Sequence, residues 1–269
     1  MTTKLITSPS NPIIKDIKAL EMRKRRRETG LFIAEGLRTC IEGMELGADL
    51  QYLVYLEELK SRPDIAKVRD HCAACGGLAL EVNKSVLEKL SHKDNPQSVI
   101  GVFRQKFLSL ADIAPKKAKC WVALEQVRDP GNLGTIMRTI DSVGADGVIL
   151  IGSCCDPYSV EAVRATMGSI FAVPIANASL DEFLAFAKTW PGQVVGTTLQ
   201  SSVDFREVAY KPPILLLMGN EQAGLSDEAR GACTANIRLP MNGRADSLNL
   251  SVATGITLYA MLEPWAKKQ

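Results

Sequence analysis

The chain has 269 residues, 46% of them hydrophobic and 23% charged, with a formal net charge of +2. That is the make-up of an ordinary soluble globular protein, long enough for two domains of roughly 100–200 residues each. The start, MTTKLITSPSNP, lacks the apolar core of a signal peptide, no apolar run nears the ~18 residues of a membrane span, and seven irregularly spaced cysteines suit a reducing cytoplasm better than a disulfide scaffold.

Charge is uneven along the chain. Residues 1–108 hold 18 Lys and Arg against 14 Asp and Glu, whereas residues 109–269 hold 14 against 16, so a polyanion is expected to be gripped first by the N-terminal part. Residues 8–20, SPSNPIIKDIKAL, read as a capped helix with apolar positions 13, 14, 17 and 20. The run Arg23, Lys24, Arg25, Arg26 and Arg27 follows. Such a run is either a solvated face or a phosphate contact, and its place in the basic half favours phosphate. Strands are then expected at 31–36, 50–56, 77–82 and 99–103, alternating with helices at 37–47, 63–75 and 86–91. This describes a small α/β domain over residues 1–105, with residues 106–118, containing Pro115 and three lysines, as a linker.

Residues 119–269 alternate more strictly. Strands are expected at 120–127, 147–152, 171–175, 193–199, 213–219 and 236–241, with helices at 131–143, 158–169, 179–189 and 225–231. The strands are near-continuous apolar runs, which implies a parallel sheet covered on both faces, with any ligand beyond the carboxyl ends of its strands. Ser247 reads as the cap of a last helix whose apolar residues form two stripes, 248, 252, 256, 259 and 250, 253, 258, 261, implying burial on most sides.

Three stretches place glycines and polar residues just past strand ends: EQVRDPGNLGTIMRT (125–139), LLLMGNEQAGLS (215–226) and LPMNGRADSLNLSVATG (239–255). In the first, Asp129–Asn132 has turn chemistry and Arg138 lies six residues further on; in the second, Gly219 allows close backbone approach and Glu221 sits at the strand mouth. Read singly, each could be an ordinary turn, loop or helix start. No GxGxxG, GxxxxGK[ST] or HExxH is present, and neither His71 nor His92 lies in the second domain, which makes a Ser-His-Asp hydrolase a poor reading. His71-Cys72-Ala73-Ala74-Cys75 holds one CxxC without a second ligand pair, so no metal is expected, and Cys154-Cys155 reads as small packing residues at a strand end.

Together, NLGTIMR, MGNEQAGLS and LPMNGRADSLNLSVATG resemble the three motifs of the SpoU (TrmH-type) RNA ribose 2′-O-methyltransferases. The resemblance covers about residues 119–262, and the third motif departs from it only at Ala245, where a Val is usual. The segment from SPSNPIIKDIKAL to GLFIAEG is similar to the small RNA-binding substrate domain that precedes many of these enzymes. The resemblance implies a trefoil knot in the C-terminal mostly parallel sheet (an α/β knot), S-adenosyl-L-methionine as cofactor, and a homodimer. It implies that Gly219, Leu239 and Leu248 line the cofactor site. Asn132, Arg138, Glu221, Ser247 and Asn249 match the family's functional positions. The family's usual proposal makes the Arg a general base, but a guanidinium stays charged, which favours phosphate binding and orientation of the hydroxyl. The expected activity is ribose methylation of structured RNA, rRNA before tRNA because an RNA-binding domain accompanies the knot. The rivals are a catalytically inactive RNA-binding homologue, which the five matching polar residues argue against, and a nucleotide-dependent oxidoreductase, which the missing Gly-rich turn argues against.

Overall fold

The computed structural model describes residues 3–91, 98–200 and 202–262; His92 and the last residues of the second predicted domain lie outside them. From the N-terminus run β1 (Thr3–Ile6), α1 (Pro12–Ala19), α2 (Arg23–Thr29), β2 (Leu31–Glu35), α3 (Leu37–Glu45), β3 (Leu50–Leu56), α4 (Pro63–Ala74), β4 (Leu78–Val82), α5 (Lys84–Leu90) and β5 (Val99–Arg104). Then come β6 (Cys120–Glu125), α6 (Pro130–Val143), β7 (Gly147–Ile151), α7 (Val160–Thr166), β8 (Ile175–Ala178), α8 (Leu180–Lys188), β9 (Gln193–Thr197), β10 (Val203–Asp204), β11 (Ile214–Met218), α9 (Asp227–Gly231), β12 (Ala235–Arg238) and α10 (Leu250–Leu262). They form two units, one of residues 1–105 with 156–171, the other of 106–155 with 172–269.

The first unit is built on a five-stranded sheet in the order β1-β4-β3-β5-β2, in which β1, β4 and β3 are parallel and β5 runs antiparallel to both its neighbours. Helix α1 starts at Asn11, whose side chain accepts from the Ile13 N–H, and buries Ile14 and Ile17 against Ile33, Val54 and Leu80 of the sheet. Such a cap is worth about 1 kcal/mol. The strand β1 ahead of it was not expected. Helix α2 ends at Gly30, whose φ of 66° closes the last turn in the left-handed region.

One segment departs from the expected domain plan. Residues 156–171 fall in the second predicted domain by position, yet pack with the first unit. Arg164 grips both oxygens of the buried Glu35 carboxylate at 2.9 and 2.8 Å. Phe32 packs against Tyr158 with the rings tilted by 46° and 4.6 Å apart, and Phe171 meets Phe103 edge-on at 4.7 Å between ring centres. Gly43 makes room for these rings, since a Cβ there would sit 3.0 Å from both Phe103 and Phe171. Phe171 is therefore a half-buried ring packed on the first unit, and the strand expected at 171–175 begins only at Ile175.

The second unit carries a seven-stranded, all-parallel sheet in the order β10-β12-β9-β11-β6-β7-β8. Strands β6, β7 and β11 are buried along their whole length, as apolar runs covered on both faces must be. The predicted linker is not a free tether. Leu108 donates its N–H to the Ile175 carbonyl at 2.8 Å, Ser109 and Asp112 form a capping box, and Leu108, Leu110 and Ile113 join the second core.

Candidate active site

The carboxyl ends of β9, β11 and β12 open on a cavity of about 420 Å³. Gly219, Glu221, Leu239, Ser247 and Leu248, all singled out in the sequence, line it, together with Thr197, Met218, Leu225, Arg230, Ile237 and Arg238. Its walls mix apolar side chains with the backbone of two loops and with charges of both signs. That lining suits a ligand with an apolar ring system and a zwitterionic end, and the volume lies within the usual range for small-molecule sites.

Beside the cavity, one hydrogen-bonded chain joins the three motif stretches. Asn132, on the first turn of α6, donates from Nδ2 to Glu221 Oε1 at 3.3 Å and accepts on Oδ1 from Asn249 Nδ2 at 2.9 Å. Asn249 Oδ1 in turn accepts the Ser251 and Val252 N–H groups and the Ser251 hydroxyl. Glu221 can only accept when ionised, so its charge dictates the order of the chain: amide nitrogen towards Glu221, amide oxygen towards Asn249, and the Asn249 oxygen towards the helix. Each amide nitrogen keeps a second N–H.

Two local expectations are corrected. Asn249, not Ser247, caps α10; Ser247 is an exposed loop residue at the cavity wall. The turn expected at 129–132 is the start of α6, where Pro130 occupies the first turn and Asp129 Oδ1 accepts the Asn132 N–H at 2.6 Å. Proline suits that place because its missing N–H has no helical partner there. Gly219 is required for a reason other than ligand approach. A Cβ on it would lie 2.2 Å from the Gly224 carbonyl carbon and 2.3 Å from the Leu225 nitrogen, so the loop itself occupies the space.

Arg138 is exposed on α6 and makes no side-chain hydrogen bond or ion pair with the described residues, the Asn132–Glu221–Asn249 group included. Among the basic run, Arg23, Lys24 and Arg27 are exposed and Arg25 pairs with Asp16 and Glu28. Arg26 is corrected outright. It is buried, binds Asp156 through Nε and a terminal nitrogen at 2.8 and 2.7 Å, and donates to the Leu20 and Glu21 carbonyls, so four of its five N–H donors are engaged and burial keeps the group from a phosphate.

Sequence reasoning passed over Glu125, Gln126 and Asn220. Glu125 ends a wholly buried strand, and a carboxylate in an apolar run is a signal that could have been used. Cys154 packs at the strand ends with its thiol against the Leu124 and Ile151 carbonyls. Burial first, then the neighbouring Cys154, Glu221 and Asp129, pushes the Cys155 thiol up to about 12, so no thiolate works at this site near neutral pH. Among the described residues no helix is long and apolar enough to cross a membrane.

Residues 119–259 match the SpoU rRNA Methylase family, and residues 11–101 match the MRM3-like substrate binding domain. The chain belongs to the SpoU rRNA methylase family. It is similar to an AdoMet-bound rRNA methyltransferase structure from Sinorhizobium meliloti, with 49% identity, a TM-score of 0.92 and coverage of 97% of this chain and 98% of that one. It is also similar to a 23S rRNA (guanosine(2553)-2'-O)-methyltransferase of Bacillus subtilis (strain 168), 27% identical over 95% of this chain and 98% of the relative. A third relative, a 23S rRNA (uridine(2479)-2'-O)-methyltransferase of Streptomyces viridochromogenes, is 29% identical over 88% of this chain and 84% of its own length.

Proposed function

We propose that this protein methylates the 2′ hydroxyl of one ribose in 23S rRNA, using S-adenosylmethionine, as a cytoplasmic homodimer. The observation that carries the reading is the Glu221–Asn132–Asn249 chain, which ties the three family motifs together at the rim of one cavity. Relatives of nearly the same length carry rRNA names, which favours rRNA over tRNA. Those names differ in base, guanosine in one and uridine in the other, so the ribose is what they share.

Gly219, Leu239 and Leu248 belong to the cavity that would hold the cofactor, the first through the loop it permits and the other two as wall residues. The bound cofactor supplies an electrophilic methyl group. The protein has to align the acceptor hydroxyl and provide for its proton. Asn132 and Asn249 offer their spare N–H groups to ribose or phosphate, with Glu221 holding both amides in one orientation. Ser247 adds a hydroxyl at the wall. Arg138 presents a planar fork that fits a phosphate and orients the ribose beside it. In the N-terminal unit, Arg23, Lys24 and Arg27 contact RNA phosphates, with Arg25 contributing when it leaves its surface partners.

The dimer is supported by α10. Val252, Ile256 and Tyr259 are 49%, 39% and 57% exposed along one stripe, on a helix that packs against α6, the helix bearing Arg138. A stripe of that kind calls for a partner. A knotted C-terminal chain is in keeping with the strand order, in which β12 lies beyond β9 while α10 returns to α6. Seven free cysteines accord with a reducing cytoplasm.

The test is to map 2′-O-methylated riboses in total RNA with and without the gene. One 23S rRNA site should vanish and be restored by purified protein with S-adenosylmethionine. Loss of a tRNA site instead overturns the substrate; an unchanged map together with no transfer in vitro overturns the activity.

A further inference from the structure

The loop 219–226 links β11 to α9 and carries both Gly219, at the cavity wall, and Glu221, which orders the two amides. Internally it is organised by Asn220. The Asn220 backbone exchanges hydrogen bonds with Gly224 at 3.0 and 2.9 Å, and its Oδ1 accepts the Gln222 and Ala223 N–H groups. Those bonds shape the loop but do not fix where it stands on the sheet.

Two further bonds do that, and both end on the last residues of β6 and its exit. Asn220 Nδ2 donates to the Gln126 carbonyl at 2.8 Å. Glu125, 3% exposed, accepts the Ser226 N–H on Oε2 at 2.9 Å. The first bond holds the start of the loop, the second its end. Gln126 has φ 51°, a left-handed conformation that an L side chain rarely adopts. A strained residue of this kind persists only where its surroundings impose it, and such residues gather at functional sites. Here it carries the carbonyl that Asn220 grips. The same strand exit leads directly to Asp129 and Asn132, so the clamp sets Glu221 against Asn132 as well.

We propose that Glu125 and Asn220 are positioning residues that lock the cofactor loop onto the end of β6, so that the free protein already holds the cavity wall in its binding form. The proposal rests on the reading of this cavity as the S-adenosylmethionine site. Without the clamp the loop spends most of its time displaced, and apparent affinity falls by the fraction of time it is in place. A loop in place about one tenth of the time binds about tenfold more weakly.

Asn220→Asp isolates the clamp, because the aspartate keeps the oxygen that the Gln222 and Ala223 amides need and replaces only the donor facing Gln126. The measurement is calorimetric titration of the full-length protein with S-adenosylmethionine, alongside RNA affinity and amide exchange at Gly224 and Ser226. The expected result is about tenfold weaker S-adenosylmethionine binding, a matching rise in its KM, unchanged RNA affinity and faster exchange at the two amides. A second pair covers misfolding of that variant: Glu125→Leu removes the acceptor and should weaken cofactor binding about tenfold, whereas Glu125→Gln retains an acceptor oxygen and should recover most of it. Cofactor affinity within twofold of wild type in folded Asn220→Asp or Glu125→Leu overturns the clamp. So does equal loss in Glu125→Leu and Glu125→Gln, or a parallel loss of RNA affinity. Wild-type protein that fails to bind S-adenosylmethionine overturns the reading of the cavity instead, and is measured first.

Discussion

Arg26 separates two explanations of the basic run. In the folded chain its side chain is 4% exposed and that of Asp156 is 13% exposed. Arg26→Ala would leave the Asp156 carboxylate nearly buried without its cation and strip a donor from the Leu20 and Glu21 carbonyls at the end of α1. Breaking a buried ion pair from one side costs about 3–5 kcal/mol, and each orphaned carbonyl a further ~1–3 if water cannot reach it. These terms overlap, so about 4 kcal/mol is expected, a large share of the ~5–15 kcal/mol that holds a domain folded. Arg27→Ala, on the exposed side of the same helix, should cost under ~0.5 kcal/mol. Urea unfolding of the two variants, with a double-mutant cycle through Asp156→Ala, measures the difference; the double variant should lose much less than the two single losses together. RNA binding across salt concentrations supplies the second axis. Arg27→Ala should reduce the slope of log K against log salt by about 0.7–0.9, while Arg26→Ala, assayed where it is still folded, should leave it unchanged. An Arg26→Ala protein as stable as wild type, with a flattened salt slope, would refute the burial argument.

Four further outcomes are expected. Gly219→Ala should destabilise the protein by about 1–3 kcal/mol and weaken S-adenosylmethionine binding, because its Cβ collides with the Gly224–Leu225 backbone; unchanged melting and calorimetry would contradict this. Arg138→Lys should keep fold and cofactor affinity but lose at least ~10²-fold in methyl transfer at saturating RNA, since an ammonium cannot reproduce a planar fork; a fully active variant removes the role given to Arg138. Ile256→Glu should convert the proposed dimer to a monomer in sedimentation, and a monomeric wild-type protein would rule out the α10 interface at the outset. Cys155, its thiol raised to about 12, stays protonated below that pH; at pH 8 it should react with iodoacetamide far more slowly than an ordinary cysteine, read by peptide mass spectrometry, and fast labelling would show that burial is overstated.

What could be read from the sequence follows from the range of the forces involved. Strands β6, β7 and β11 were legible because a strand covered on both faces must be apolar throughout, a property that needs no knowledge of its neighbours; β10, two residues at the sheet edge, carries no such run. Part of the cavity wall was legible for a related reason: Gly219, Glu221 and Ser247 lie in stretches just past strand ends, where such sheets open, whereas Leu239, inside an expected strand, was pointed to only by the family resemblance. Pairings between distant positions were not. Nothing in RKRRR marks Arg26 as the inward residue, because its partner Asp156 is 130 positions away; helical spacing alone puts one residue in four on an inner face without saying which. The same blindness hid the Ser226–Glu125 bond, 101 positions apart, and gave no sign that 156–171 pack with the first unit, since a helix carries no label for the sheet it covers. Helix α10 is the sharpest case. Its two apolar stripes imply two covers, and the described residues of one chain supply only the first, over Leu250, Thr254, Leu258 and Met261. The second stripe, Leu248, Val252, Ile256 and Tyr259, stays exposed. Periodicity reports how many faces need burying; whether the cover comes from the same chain or from another copy is a property of the assembly, and it is there that the Ile256→Glu experiment acts.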